Sequence, residues 1–173
     1  MTGLRKGELF ALDWSAVNLQ EGILVVRNSI EEISGKTRMK TPKTKAGRRV
    51  VTLGKEATEA LQRRKEKAEY EELSTTKGIV FPNTIGGHLY ASNFRKAVWV
   101  KIREAACIPD TFVFHDLRHT QASLMPAAGV DLKVIQKRLG HADFATTANL
   151  YSHLMQGAQA DAADKLDAMF ERG

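Results

Sequence analysis

The sequence predicts a mainly α-helical α+β domain with a small three-stranded antiparallel sheet, and three observations carry that prediction. Strand-like, β-branched segments are confined to the first third of the chain. From Gly54 onward the apolar residues recur with helical spacing, punctuated by Pro109, Gly129 and Gly140. The 173 residues, 43% hydrophobic and 27% charged, suit one packed domain and exclude disordered, collagenous or membrane-spanning classes.

In chain order, Leu4, Leu9, Phe10, Leu12 and Trp14 supply the apolar side of a helix over Arg5 to Trp14. Three strands follow at Ile23–Arg27, Arg38–Lys43 and Arg48–Leu53, the last two read as a hairpin about Lys45-Ala46-Gly47. A helix over Lys55–Leu73, a short strand at Gly78–Phe81 and a helix from about Ser92 to Ala106 come next. Helices at His115–Ala128, Asp131–Leu139, Phe144–Leu154 and Gln156–Phe170 complete the chain. Pro126 lacks an N–H and clashes with the preceding turn, a cost of about 3 kcal/mol inside a helix, so a kink or early stop is expected there. Phe10, Trp14, Phe94 and Trp99 read as core, and the single Cys107 as a small buried residue that excludes an intrachain disulfide.

The formal charge is +6 and the pI about 9.5, which favours a polyanionic partner, nucleic acid ahead of an anionic membrane surface. Eight basic residues against Glu31 and Glu32 between Arg27 and Arg49 account for that whole excess, and the strand assignments put them on the small sheet. No apolar run approaches the ~20 residues of a spanning helix and no signal peptide is present, so the expected location is cytoplasmic.

Phe114-His115-Asp116-Leu117-Arg118-His119 is the densest chemical signal. His115 and Arg118, three apart, share a helix face, and His115 stands at a helix start whose N–H groups favour phosphate. The plain alternative is a capping His115 with Arg118 in a surface ion pair. His115 and His119 also have the i,i+4 spacing of a zinc hydrolase motif, but an arginine between two ligands would repel the ion and Tyr151 would be left without a role.

Arg5 within Thr2-Gly3-Leu4-Arg5-Lys6-Gly7-Glu8-Leu9, Lys43-Thr44-Lys45-Ala46-Gly47-Arg48-Arg49, His115-x-x-Arg118-His119, Leu139-Gly140-His141 and Tyr151 resemble, in order and spacing, the catalytic domain of tyrosine recombinases, the phage integrase family. The resemblance covers essentially the whole chain. It implies site-specific DNA cleavage and rejoining through a 3′-phosphotyrosine, with Tyr151 as nucleophile, Arg5 and Arg118 on the phosphate, His115 as general base and His141 as a further donor. It implies Lys43 as general acid, with Lys45 the alternative because Gly47 stands where serine is usual. Glu8, one turn beyond Arg5, would orient that arginine, and Asp116 would support the site or its own helix dipole. Arg38, Lys40, Lys45, Arg48 and Arg49 are the expected DNA-binding cations of the basic sheet.

The resemblance further implies double-stranded attachment or crossover sites as partner, no cofactor or metal, and a homotetramer on DNA in the full-length protein, nucleoid-associated in a prokaryote. Residues 1–173 then form the catalytic domain, short of its own start and lacking core-binding and arm-binding domains, with 156–173 a tail helix that docks in cis or in trans. The Lys43-Thr44-Lys45 hairpin and the Gly140-His141-Ala142-Asp143 stretch look more like those of mobile-element integrases, a resemblance that implies integration or excision of a phage or other mobile element. A DNA-binding module of the same fold without chemistry is the alternative, and a covalent adduct through Tyr151 separates the two.

Overall fold

The computed structural model describes residues 2–42, 47–71 and 78–141. A short helix α1 (Lys6–Phe10) and a helical turn at Trp14–Ala16 lead into five strands: β1 (Val17–Asn18), β2 (Ile23–Val26), β3 (Ser29–Ile33), β4 (Lys36–Lys40) and β5 (Arg49–Thr52). The long α2 (Lys55–Glu71) follows. A helical stretch then runs through α3 (Ala91–Asn93), a π-helical segment (Phe94–Trp99) and α4 (Val100–Ala105), and α5 (Asp116–Ala127) and α6 (Leu132–Leu139) close the described part. Among the described residues no helix is long and apolar enough to cross a membrane.

The α+β class and the three-stranded antiparallel sheet stand, but the pairing differs from the expected hairpin. The sheet order is β1-β2-β5, with Val26 opposite Arg49 and Ile23 opposite Thr52, while β4 pairs with β3. The segment around Arg38–Lys43 therefore does not pair with Arg48–Leu53. The reason is a two-residue turn at Ser34-Gly35, where both residues adopt left-handed backbone (φ 49° and 73°), the geometry that matches the twist of a tight hairpin. Glu32 accepts hydrogen bonds from Ser92 N and Oγ (3.0 and 2.8 Å), tying that hairpin to the start of α3.

Three apolar clusters hold these layers together. Leu4, Leu12, Leu24, Val26, Val51, Leu61 and Val80 pack α1 and α2 against the sheet, with Trp14 at the edge. Phe10, Ile30, Phe94 and Trp99 join α1 and β3 to the π-helical segment, with Phe94 edge-to-face on Phe10 and Phe114. Ala122, Ile135 and Leu139 join α5 to α6. The expected aromatic core is thus in place.

Pro126 lies in the last turn of α5, which ends one residue later, so the early stop is realised. Cys107, expected to be buried, is exposed. It takes the left-handed position just past α4 (φ 53°), where its N–H and that of Ile108 return to the carbonyls of Glu104 and Arg103, a helix-ending motif that turns its side chain outward. The segments Phe144–Leu154 and 156–173 lie outside the described residues.

Candidate functional site

Two glycines explain the opening motif. Gly3 has φ +68°, and a Cβ there would meet Leu139 at 2.8 Å and the Gln121 side-chain oxygen at 2.5 Å, so only glycine lets the chain pass between α5 and α6. At Gly7 a Cβ would collide with the Ile30 carbonyl, so glycine is what lets α1 sit on β3. Arg5 stands at the N-cap of α1, where Glu8 accepts from its backbone N (2.8 Å) and from its Nη1 (2.9 Å).

The last carbonyls of a helix lack intrahelical partners and sit at its negative end, and α6 gives three of them in succession to three arginines. Arg49 Nε donates to Arg138 O (2.7 Å), Arg118 Nη2 to Leu139 O (2.6 Å) and Arg5 Nη2 to Gly140 O (3.0 Å). Arg118 Nη1 also donates to Gly3 O. Gly140 ends the helix in left-handed backbone (φ 65°) and delivers His141 beside the cations. Arg118 and Arg49 are buried, whereas the Arg5 side chain is 39% exposed.

Arg49 and Glu8 form a two-pronged ion pair, Nη1 to Oε1 at 2.9 Å and Nη2 to Oε2 at 2.8 Å. Burial pushes the Glu8 carboxyl up, but the hydrogen bonds and charge of Arg49, joined by those of Arg5, outweigh it and hold it below the usual carboxylate value. Burial, with the Arg5 charge next, pushes the Arg118 guanidinium down to about 10, still charged at neutral pH. Burial first and then Arg118, Arg5 and Arg49 drive His141 down to about 4. Burial, His119, Arg118 and Arg5 likewise lower His115. Both imidazoles are therefore neutral at pH 7, able to accept or donate a hydrogen bond without adding charge. The His115 and His119 rings meet edge to face with centroids 4.7 Å apart.

The structure thus brings Arg5, Glu8, His115, Arg118 and His141 to one place. Asp116 accepts from Val113 N (2.7 Å) and braces the turn into α5. Arg38, Lys40 and Arg48 are exposed, and Lys40 pairs with Glu31. Arg49, expected as a DNA-facing cation, is instead buried with its guanidinium taken by Glu8 and the Arg138 carbonyl. Strand alternation carried that signal: Arg49 shares the inward face of β5 with Val51, so it needed a buried acid. Lys43, Lys45 and Tyr151 lie outside the described residues.

A cluster of guanidinium groups beside two lowered-pKa imidazoles thus sits on an α+β scaffold. The phage integrase family profile matches residues 1–157, and the chain belongs to that family. A tyrosine recombinase XerC-like protein of Caldanaerobacter subterraneus subsp. tengcongensis is 31% identical across 98% of this chain and 47% of its own length. The ICEBs1 integrase of Bacillus subtilis (strain 168) is 33% identical across 96% of this chain and 46% of its own. The chain spans about half the length of these curated relatives. The crystal structure of XerA recombinase superposes with TM-score 0.69 at 30% identity, over 95% of this chain and 53% of that one. The Tn1549 transposon integrase in complex with circular intermediate DNA shares the fold, with TM-score 0.79 at 22% identity over 95% and 56% of the two chains.

Proposed function

We propose that this chain is the catalytic domain of a site-specific DNA recombinase that cuts and rejoins strands through a phosphotyrosine at Tyr151. The observation that carries the reading is the row of three arginines fixed on α6, next to two imidazoles held neutral by burial and by those cations. A phosphodiester gains negative charge at its non-bridging oxygens as it becomes five-coordinate. Donors already held in place stabilise that state without reorganising. Arg5 and Arg118 are assigned to those oxygens.

In the first step the Tyr151 oxygen attacks phosphorus and its proton passes to neutral His115. The bond from phosphorus to the 5′-oxygen breaks, and that oxygen takes a proton from Lys43, or from Lys45 if the loop presents it instead. His141 donates one hydrogen bond to the phosphate. Attack by a 5′-hydroxyl on the phosphotyrosine, with protons moving in reverse, reseals a strand and restores the tyrosine, so no net bond energy is lost and no cofactor takes part.

The partner in this reading is double-stranded DNA at attachment or crossover sites, bound by a homotetramer of the full-length protein, with Arg38, Lys40 and Arg48 on the backbone phosphates. The DNA complexes of the Tn1549 transposon integrase support that partner, and relatives named as integrases of ICEBs1 and of Staphylococcus phage L54a support integration or excision of a mobile element. Residues 156–173 are assigned to a tail helix, and the location to the prokaryotic cytoplasm at the nucleoid. The test is a nicked suicide substrate that loses its 5′-hydroxyl fragment and so traps the adduct. The protein carrying this chain should form a covalent DNA complex that survives denaturation and chelator and disappears in Tyr151→Phe. Equal trapping by Tyr151→Phe would overturn the reading.

A further inference from the structure

We propose that Arg49 is a positioning residue for Arg5, acting through the Glu8 carboxylate, although its own guanidinium is sealed from DNA. The inference rests on the proposed role of Arg5 at the scissile phosphate. The Arg49 side chain is 2% exposed, against 39% for Arg5, so one guanidinium is anchor and the other presents itself outward.

One carboxylate links the two. Glu8 Oε1 accepts from Arg5 Nη1 and Arg49 Nη1, both at 2.9 Å, and Oε2 accepts from Arg5 N and Arg49 Nη2, both at 2.8 Å. Four donors exhaust its lone-pair directions, leaving Glu8 no second orientation that keeps them all. The third arm of Arg49 holds Arg138 O, two residues before the Gly140 carbonyl that receives Arg5. Arg49 therefore fixes both supports of Arg5, the acid on α1 and the end of α6.

Simple neutralisation of a buried acid does not account for this pattern. A buried ion pair is on average no more stabilising than apolar residues of the same volume, so its worth lies in fixing geometry. Lysine would keep the charge but lose the planar fork that grips two oxygens at once, together with the Nε bond to Arg138. Glu8 would then be free to turn, and Arg5 with it.

The experiment is single-turnover covalent-complex formation on a suicide substrate at saturating DNA, in the protein carrying this chain, with DNA affinity measured in parallel. Arg49→Lys should slow the cutting step ~10- to 100-fold, the range expected when a catalytic group is misplaced by about 1 Å. DNA affinity should change less than about twofold, because all three Arg49 nitrogens are already taken by the Glu8 carboxylate and the Arg138 carbonyl and make no phosphate contact. In an Arg5→Lys background, Arg49→Lys should add almost nothing, since residues acting through one another are not additive. If Arg49→Lys does not fold, as judged by its urea transition, Glu8→Gln keeps the shape and should give the same slow step and the same non-additivity. An unchanged cutting rate in the variant that folds, an equal loss in both backgrounds, or a loss confined to affinity overturns the proposal. If the unsubstituted protein makes no Tyr151-dependent adduct, it is the proposed function that falls.

Discussion

Two groups of cations in this molecule differ in almost everything except charge. Arg49 and Arg118 are buried, each committed to a carboxylate or to helix-end carbonyls. Lys36, Arg38 and Lys40 line an exposed strand of the β3–β4 hairpin, where the pair Lys40–Glu31 is half open to solvent. The buried group gives up solvation and gains fixed geometry, which is what a reaction centre needs. The exposed group keeps its solvation and its freedom, which suits loose attraction to a polyanion along its length.

The strongest way to break this contrast is to remove the acid that holds the buried group. Glu8→Ala leaves the Arg49 guanidinium buried without its carboxylate and should cost about 3–5 kcal/mol, read from the urea midpoint. A loss below ~1 kcal/mol would mean the pair is no better held than a surface ion pair.

A middle-sized effect comes from pH. Folded His141 titrates at about 4 against 6.5 in the unfolded chain, and His115 is lowered in the same direction. Between those values the unfolded chain binds protons that the folded one refuses, so stability is complete above pH 6.5 and falls as pH drops toward about 4. The thermal midpoint should follow that direction, and His141→Gln should flatten it. A midpoint that rises on acidification in this window contradicts the assigned environment.

The smallest effect on folding belongs to the hairpin. Arg38→Ala should leave stability within ~0.5 kcal/mol, as exposed substitutions usually do. It should weaken DNA binding uniformly across sequences and reduce the salt slope by about 1. Sequence-dependent loss instead would assign Arg38 to base edges.

Much of this was legible in the chain. The Arg5–Glu8 spacing, the helix starts at His115 and Asp131 and the stop after Pro126 follow from local rules that the fold obeys. The β3–β4 hairpin is hidden in the sequence because Glu31 and Glu32 read poorly as strand and Gly47 offers a competing turn signal. Packing of Ile30 against Phe10 and capping of Ser92 by Glu32 supply from a distance what local propensity withholds. The carbonyl row on α6 was equally invisible, since it depends on which three guanidinium groups arrive from residues as far as 135 positions away.

That row makes the length of α6 a fixed gauge. Each residue added inside a helix rotates everything after it by about 100° and advances it ~1.5 Å. One insertion between Leu132 and Leu139 would therefore swing the carbonyls of Arg138, Leu139 and Gly140 away from all three arginines together, while the same insertion at Gly129, in open space before the helix, would leave that spacing untouched.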